Sequence, residues 1–107
     1  MSGDTRYHLA QSEIVSDGFR AIVAQAKAEQ RLPIFTRASR WIIEELARTP
    51  NEFGESREYL PDAEIAMRCG FARPVYVEFG VHEESRTVFL RRFELLPRTA
   101  EENNPSG

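Results

Sequence analysis

Residues 63–96, AEIAMRCGFARPVYVEFGVHEESRTVFLRRFELL, alternate apolar and polar side chains in three successive blocks separated by turn-forming residues. A period of two is the signature of strands with one buried face, so the stretch predicts three adjacent antiparallel strands. In the first block Ala63, Ile65, Met67 and Cys69 share a face, and Glu64, Ala66 and Arg68 the other. In the second, Val75, Val77, Phe79 and Val81 oppose Tyr76 and Glu78. The odd-numbered faces are expected to be the buried ones. After the polar turn HEESR at 82–86, the block TVFLRRFELL is apolar on both sides and interrupted by Arg91 and Arg92. Phe89, Phe93 and Leu95 fall with Arg91, whereas Val88, Leu90 and Leu96 fall with Arg92, so alternation leaves open which arginine faces water.

Upstream the period changes. RYHLA at 6–10 alternates and suits a short strand. From about Ser12 to Gln30 the residues Val15, Phe19, Ile22, Val23 and Ala26 recur at three and four and make one apolar stripe of a helix, with Ser12 or Ser16 as N-cap. Pro33 can occupy the first turn of a second helix carrying Phe35, Ala38, Ile42 and Leu46, flanked by Trp41 and Ile43. Pro50 and Gly54 close it. Residues 51–61, NEFGESREYLP, read as an irregular connection anchored by Tyr59 and Leu60. The expected fold is α+β: one N-terminal strand, a two-helix hairpin and a three-stranded antiparallel meander. Residues 1–97 form the single domain, and 98–107 a flexible polar tail.

Composition excludes several function classes. With 107 residues and 41% apolar content the chain supports one modest core. No apolar run approaches a membrane span and the first residues lack a secretory signal, so a cytoplasmic protein without a membrane partner is expected. Cys69 stands alone, and His8 and His82 give no zinc-binding spacing, so neither metal nor cofactor is expected. Cys69 reads as a small core residue. A net charge of −3 argues against a broad nucleic-acid surface. Thirteen of the fourteen basic residues are nevertheless Arg, a type suited to bidentate recognition of phosphate or carboxylate. GC-driven codon usage is the plain alternative.

The order of elements, together with LARTPNEFGES at 46–56, ARPVYVEFGVHEE at 72–84 and RTVFLRRFELL at 86–96, resembles the RelE/ParE toxin superfamily of bacterial type II toxin–antitoxin systems over roughly residues 5–96. The resemblance implies a cognate antitoxin as partner. In ribosome-dependent members it also implies an open sheet face that receives messenger RNA and cleaves it through the ribose 2′-OH. Such cleavage needs a base, cations around the pentacovalent phosphate and an acid for the leaving oxygen, all within hydrogen-bonding reach.

On that resemblance Arg73 is the phosphate clamp and Glu58 the base. Arg68, Tyr76, Arg91 and Arg92 are RNA-binding, with Tyr76 able to stack on a base. Leu95 and Leu96 stand where one branch of the family carries a His and Tyr pair, so no general acid is visible. Three readings therefore stay open: an mRNA endoribonuclease acting on the ribosome, a non-nucleolytic ParE-like inhibitor of DNA gyrase, and a RelE-like module that binds protein without toxicity. Without such a function, Glu58 is a solvated loop acid, His82 a turn residue, and an exposed strand arginine pairs with a cross-strand acid such as Glu78 or Glu64.

Overall fold

A computed structural model describes residues 6–98. The tail expected from Arg98 onward lies, apart from Arg98 itself, outside the described residues. The fold is α+β, in the order β1 (His8–Gln11), α1 (Glu13–Ala28), α2 (Leu32–Arg48), β2 (Glu55–Leu60), β3 (Ile65–Ala72), β4 (Val75–His82) and β5 (Thr87–Leu95). The strand, the helix pair and the succeeding strands follow the expected order. The sheet, however, has five strands in the order β1-β5-β4-β3-β2, with β1 parallel to β5 and every other pairing antiparallel.

The additional strand, β2, lies inside the segment expected to be irregular. It is an edge strand exposed along nearly its whole length, and its register shifts between Ser56 and Glu58. Neither face is buried and a bulge interrupts the period, so hydrophobic alternation has nothing to record. Of the expected anchors, Leu60 is half-buried and Tyr59 is 58% exposed; the principal anchor is Phe53, which is buried, with its ring 5.7 Å from Trp41 and 6.1 Å from Phe79.

Helix α1 begins where Ser12 Oγ accepts the Val15 N–H, selecting Ser12 over Ser16 as N-cap. Pro33 lies in the first turn of α2. Between the helices, Gln30 takes a left-handed conformation at φ 58° and reverses the chain. Arg31, only 4% exposed, then pairs with Glu29 at 3.0 Å and donates from Nη2 to the Leu96 carbonyl at 2.8 Å. This buried guanidinium fastens the helix junction to the end of β5.

Both helices cover one side of the sheet. Helix α1 packs chiefly on β5, and α2 lies over β3 and β4. The core joins Ala26, Phe35, Ala38, Ile42 and Leu46 to Val75, Val77, Phe79 and Val81 of β4 and Val88 and Leu90 of β5. Full burial of each large side chain, such as Phe79, Ile42 or Leu46, contributes roughly 1.5–3 kcal/mol. Toward the groove between the helices, Phe19 bridges Phe35 and Phe93, at ring distances of 5.6 and 4.8 Å.

The helix-facing side of β4 is the odd-numbered one, as expected. For β3 the expectation is overturned. Its partners across β4 are Arg68↔Phe79, Gly70↔Val77 and Ala72↔Val75, so its even residues face the helices. Ile65, Met67 and Cys69 lie on the opposite, open face with Phe71. Both faces of β3 carry apolar residues, and periodicity alone cannot assign such a strand. In β5 the ambiguity has a structural cause: the register shifts between Glu78/Arg92 and Phe79/Leu90, leaving Arg91 as the extra residue of a bulge. Val88 and Leu90 precede the bulge and Phe93 and Leu95 follow it, so even and then odd positions turn inward. Arg91 and Arg92 are both exposed.

Gly54 (φ 71°) lies against β3, where an added Cβ would fall 2.0 Å from the Cys69 carbonyl oxygen. Gly18 lies inside α1 with nothing within 4 Å of such an atom. Gly54→Ala is expected to destabilise by at least ~2 kcal/mol. Gly18→Ala is expected to stabilise by about 0.5–1 kcal/mol. Urea unfolding of the two variants checks both signs.

Candidate functional site

Two surfaces each combine charged side chains with a hollow: the open face of the sheet, and the outer edge of α2 beside the β3–β4 turn. The open face is built by the side chains that β3, β4 and β5 turn away from the helices. At its centre Tyr76 Oη donates to Glu78 Oε2 at 2.9 Å. Arg92, directly across the β4–β5 ladder from Glu78, approaches the same oxygen at 3.4 Å and Glu94 at 3.5 Å. Arg57 points over the β2 bulge toward Cys69, its Nη1 4.0 Å from Sγ. These groups surround a shallow hollow of about 380 Å³ lined by Arg57, Cys69, Phe71 and Tyr76. Cys69 is buried, as expected of a small apolar residue, but on the open side of the sheet.

Tyr76 is the most perturbed group here. Desolvation, then the hydrogen bond it donates to the Glu78 carboxylate, then the Cys69 side chain push its pKa up to about 12. A phenol held protonated this firmly stays a hydrogen-bond donor at neutral pH and is a poor general base.

The expected site residues do not converge. Arg68 is turned to the helix side, where Nε and Nη2 donate to the Phe53 carbonyl at 3.3 and 3.1 Å and Nη2 also to the Gly54 carbonyl at 3.2 Å. It holds the loop before β2 and offers no cation to the open face, which corrects its placement on the solvent side. Glu58 does lie on the open-face edge, opposite Met67 in β3. Arg73 occupies the β3–β4 turn, just beyond Ala72. Met67 and Ala72 are five residue steps apart along the strand, about 17 Å at the usual rise. Arg73 and Glu58 are therefore too far apart to act on one phosphate. Tyr76 and Arg92 do come together, through Glu78, while Arg91 stands at the bulge without an ion pair among the described residues.

The second surface was not foreseen as a site. Trp41, 51% exposed, lines a hollow of about 460 Å³ with Ile34, Arg37, Ala38, Ala72 and Arg73. Around the helix, the splay of α1 from α2 opens an apolar cleft of about 500 Å³ between Phe19, Val23, Leu32, Phe35 and Ile43, with Arg40 and Glu44 at its rim. Glu44 is engaged by Arg6 through two 3.0 Å contacts. Arg37, Arg40 and Arg73 form no ion pair among the described residues. The signal available in the sequence was the placement of Arg37, Arg40 and Trp41 beside the apolar stripe of α2. Arg73 joins them only through the tertiary fold. No helix among the described residues is long and apolar enough to cross a membrane. Comparison with protein-family models, curated proteins and solved structures finds no significant match.

The Tyr76 arrangement has a titratable consequence. Its folded pKa lies above the ordinary tyrosine value near 10, so its contribution to stability is fully present below pH ~10 and is lost as pH rises through about 12. Glu78→Gln removes the anionic acceptor and is expected to move the Tyr76 midpoint back toward 10. Alkaline phenolate absorbance of the two proteins measures that shift.

Proposed function

We propose that this chain is a RelE/ParE-like protein of a bacterial toxin–antitoxin system, working in the cytoplasm by binding rather than by cleaving RNA. Its cognate antitoxin would seat an acidic amphipathic helix in the cleft between α1 and α2. The observation that carries this reading is the cleft itself: an apolar floor of Phe19, Val23, Phe35 and Ile43 rimmed by Arg40, with Arg37 on the adjoining turn of α2. An apolar groove with a cationic edge complements a helix with one apolar and one acidic face. Because Glu44 is already paired with Arg6, the rim keeps a positive surplus.

The geometry gives less support to ribonuclease chemistry. Arg68 is turned to the opposite side of the sheet from Tyr76 and Arg92, Arg73 and Glu58 are separated along β3, and Arg92 is engaged by Glu78 and Glu94. Inhibition of DNA gyrase by binding and a non-toxic binding role both accord with this arrangement. One observation favours a second reading, in which the target is single-stranded RNA: Arg37 and Arg73 line the same hollow as half-exposed Trp41. An aromatic plane between two cations suits a base and its phosphates.

The test is growth after tightly induced expression, together with calorimetry against a synthetic acidic amphipathic helix or, where a small reading frame is found beside the gene, its product. Ile43→Asp and Arg40→Glu are expected to weaken that complex at least ~10-fold, the equivalent of about 1.4 kcal/mol. Growth arrest by the wild type that persists in Arg73→Ala and Glu58→Ala supports a binding toxin, and arrest abolished by both supports cleavage. Full-affinity binding by both cleft variants would overturn the docking site. Quenching of Trp41, the sole tryptophan, by an RNA oligonucleotide would support the second reading.

A further inference from the structure

At the end of the sheet remote from Arg73, the β2–β3 turn and the β4–β5 turn lie side by side. There Glu64, His82 and Glu84 place one ligand atom each within 4.8 Å of one another. We propose that these three residues form a binding site for a divalent transition-metal ion of the zinc class. The site is independent of the function proposed for the cleft. Its ligand set, one imidazole and two carboxylates, is the kind that such ions take, leaving a fourth position open.

Two further observations point to a cation. The first is the anchoring of the imidazole. His82 Nδ1 lies 2.6 Å from Ser85 Oγ; that hydroxyl donates to Thr87 Oγ1 at 2.9 Å, and Thr87 Oγ1 donates in turn to the Ser85 carbonyl at 3.2 Å. The Ser85 backbone N–H also donates to Nδ1, at 3.3 Å, so Nδ1 is the ring nitrogen turned into the β4–β5 turn. The ring is thus held through Nδ1, and Nε2, without a hydrogen bond among the described residues, is the nitrogen open to a ligand; an ion bound there would shift the ring hydrogen to Nδ1, where Ser85 Oγ can accept it.

The second observation is uncompensated charge. Glu64 and Glu84 bring two carboxylates together, and neither forms an ion pair among the described residues. The guanidinium in the same turn, Arg86, is occupied by Glu83 at 3.6 Å and by the Tyr7 ring at 4.3 Å. A dication would neutralise both acids. Tetrahedral binding with bonds of about 2.1 Å requires ligand atoms roughly 3.4 Å apart, a contraction that the exposed side chains of Glu64 and Glu84 can make by rotation. The bound ion would staple the edge hairpin of β2 and β3 to the β4–β5 turn.

The test uses the full-length, tag-free protein, stripped with chelator and titrated with Co²⁺ and then Zn²⁺. One equivalent of Co²⁺ is expected to give visible d–d absorption that Zn²⁺ abolishes, with Zn²⁺ raising the thermal midpoint. His82→Ala, and separately Glu64→Gln or Glu84→Gln, is expected to weaken binding at least ~10-fold. His8→Ala, which changes the other histidine, should leave it intact. Circular dichroism establishes that each variant is folded. Absence of saturable binding by the wild type, or equal binding by folded His82→Ala, would overturn the site.

Discussion

Everything else in this molecule hangs on one face of one strand. Val75, Val77 and Phe79 of β4 are fully buried beneath the helices, and Val81 nearly so. Because β4 is central and paired on both sides, its orientation dictates which side chains of β3 and β5 point inward. A slip of one residue would drive Tyr76 and Glu78 into the core and expose three valines and a phenylalanine, a change costing far more than the net stability of a small domain. The β5 bulge follows from the same demand. It allows Val88 and Leu90 before Arg91, and Phe93 and Leu95 after Arg92, to share the helix side despite the even number of residues, two, between the two groups.

That register also distributes the arginines, and with them the chemistry. Arg68 is turned under the sheet and engaged by the Phe53 and Gly54 carbonyls; Arg92 is turned outward and met by Glu78 and Glu94; Arg31 is buried at the helix junction. Each of these cations has a partner that fixes it. Three of those without an ion pair among the described residues, Arg37, Arg40 and Arg73, gather along α2 and the β3–β4 turn beside Trp41 and the apolar cleft. A cluster of positive charge thus lies on the helical side, where the proposed antitoxin contact sits. At the centre of the open face Arg92 is neutralised by Glu78 and Glu94 instead.

The helices were legible because each buries a single stripe against one layer, so Val15, Phe19, Ile22 and Ala26, and likewise Phe35, Ile42 and Leu46, repeat at helical spacing. β4 was legible for the corresponding reason at period two. β2 was not, because an exposed edge strand has no hydrophobic face to repeat. The orientation of β3 was also hidden, since its open face is itself apolar through Ile65, Met67, Cys69 and Phe71. Of the expected site residues, Tyr76 and Arg92 meet because they are diagonal neighbours around Glu78, while Arg73 and Glu58 belong to opposite ends of β3.

Local periodicity, capping and turn chemistry are properties of neighbouring residues, and they suffice to specify two amphipathic helices, the buried face of β4 and the order of elements. Pairing partners, bulges and the facing of a strand apolar on both sides depend on which elements share the core, and a linear pattern carries no such information. The proximity of Glu64 to His82 and Glu84, of Arg73 to Trp41, and of Arg31 to Leu96 therefore arises only when the chain is folded. Residues tens of positions apart become neighbours because burying β4 brings the turns and helix ends around it together.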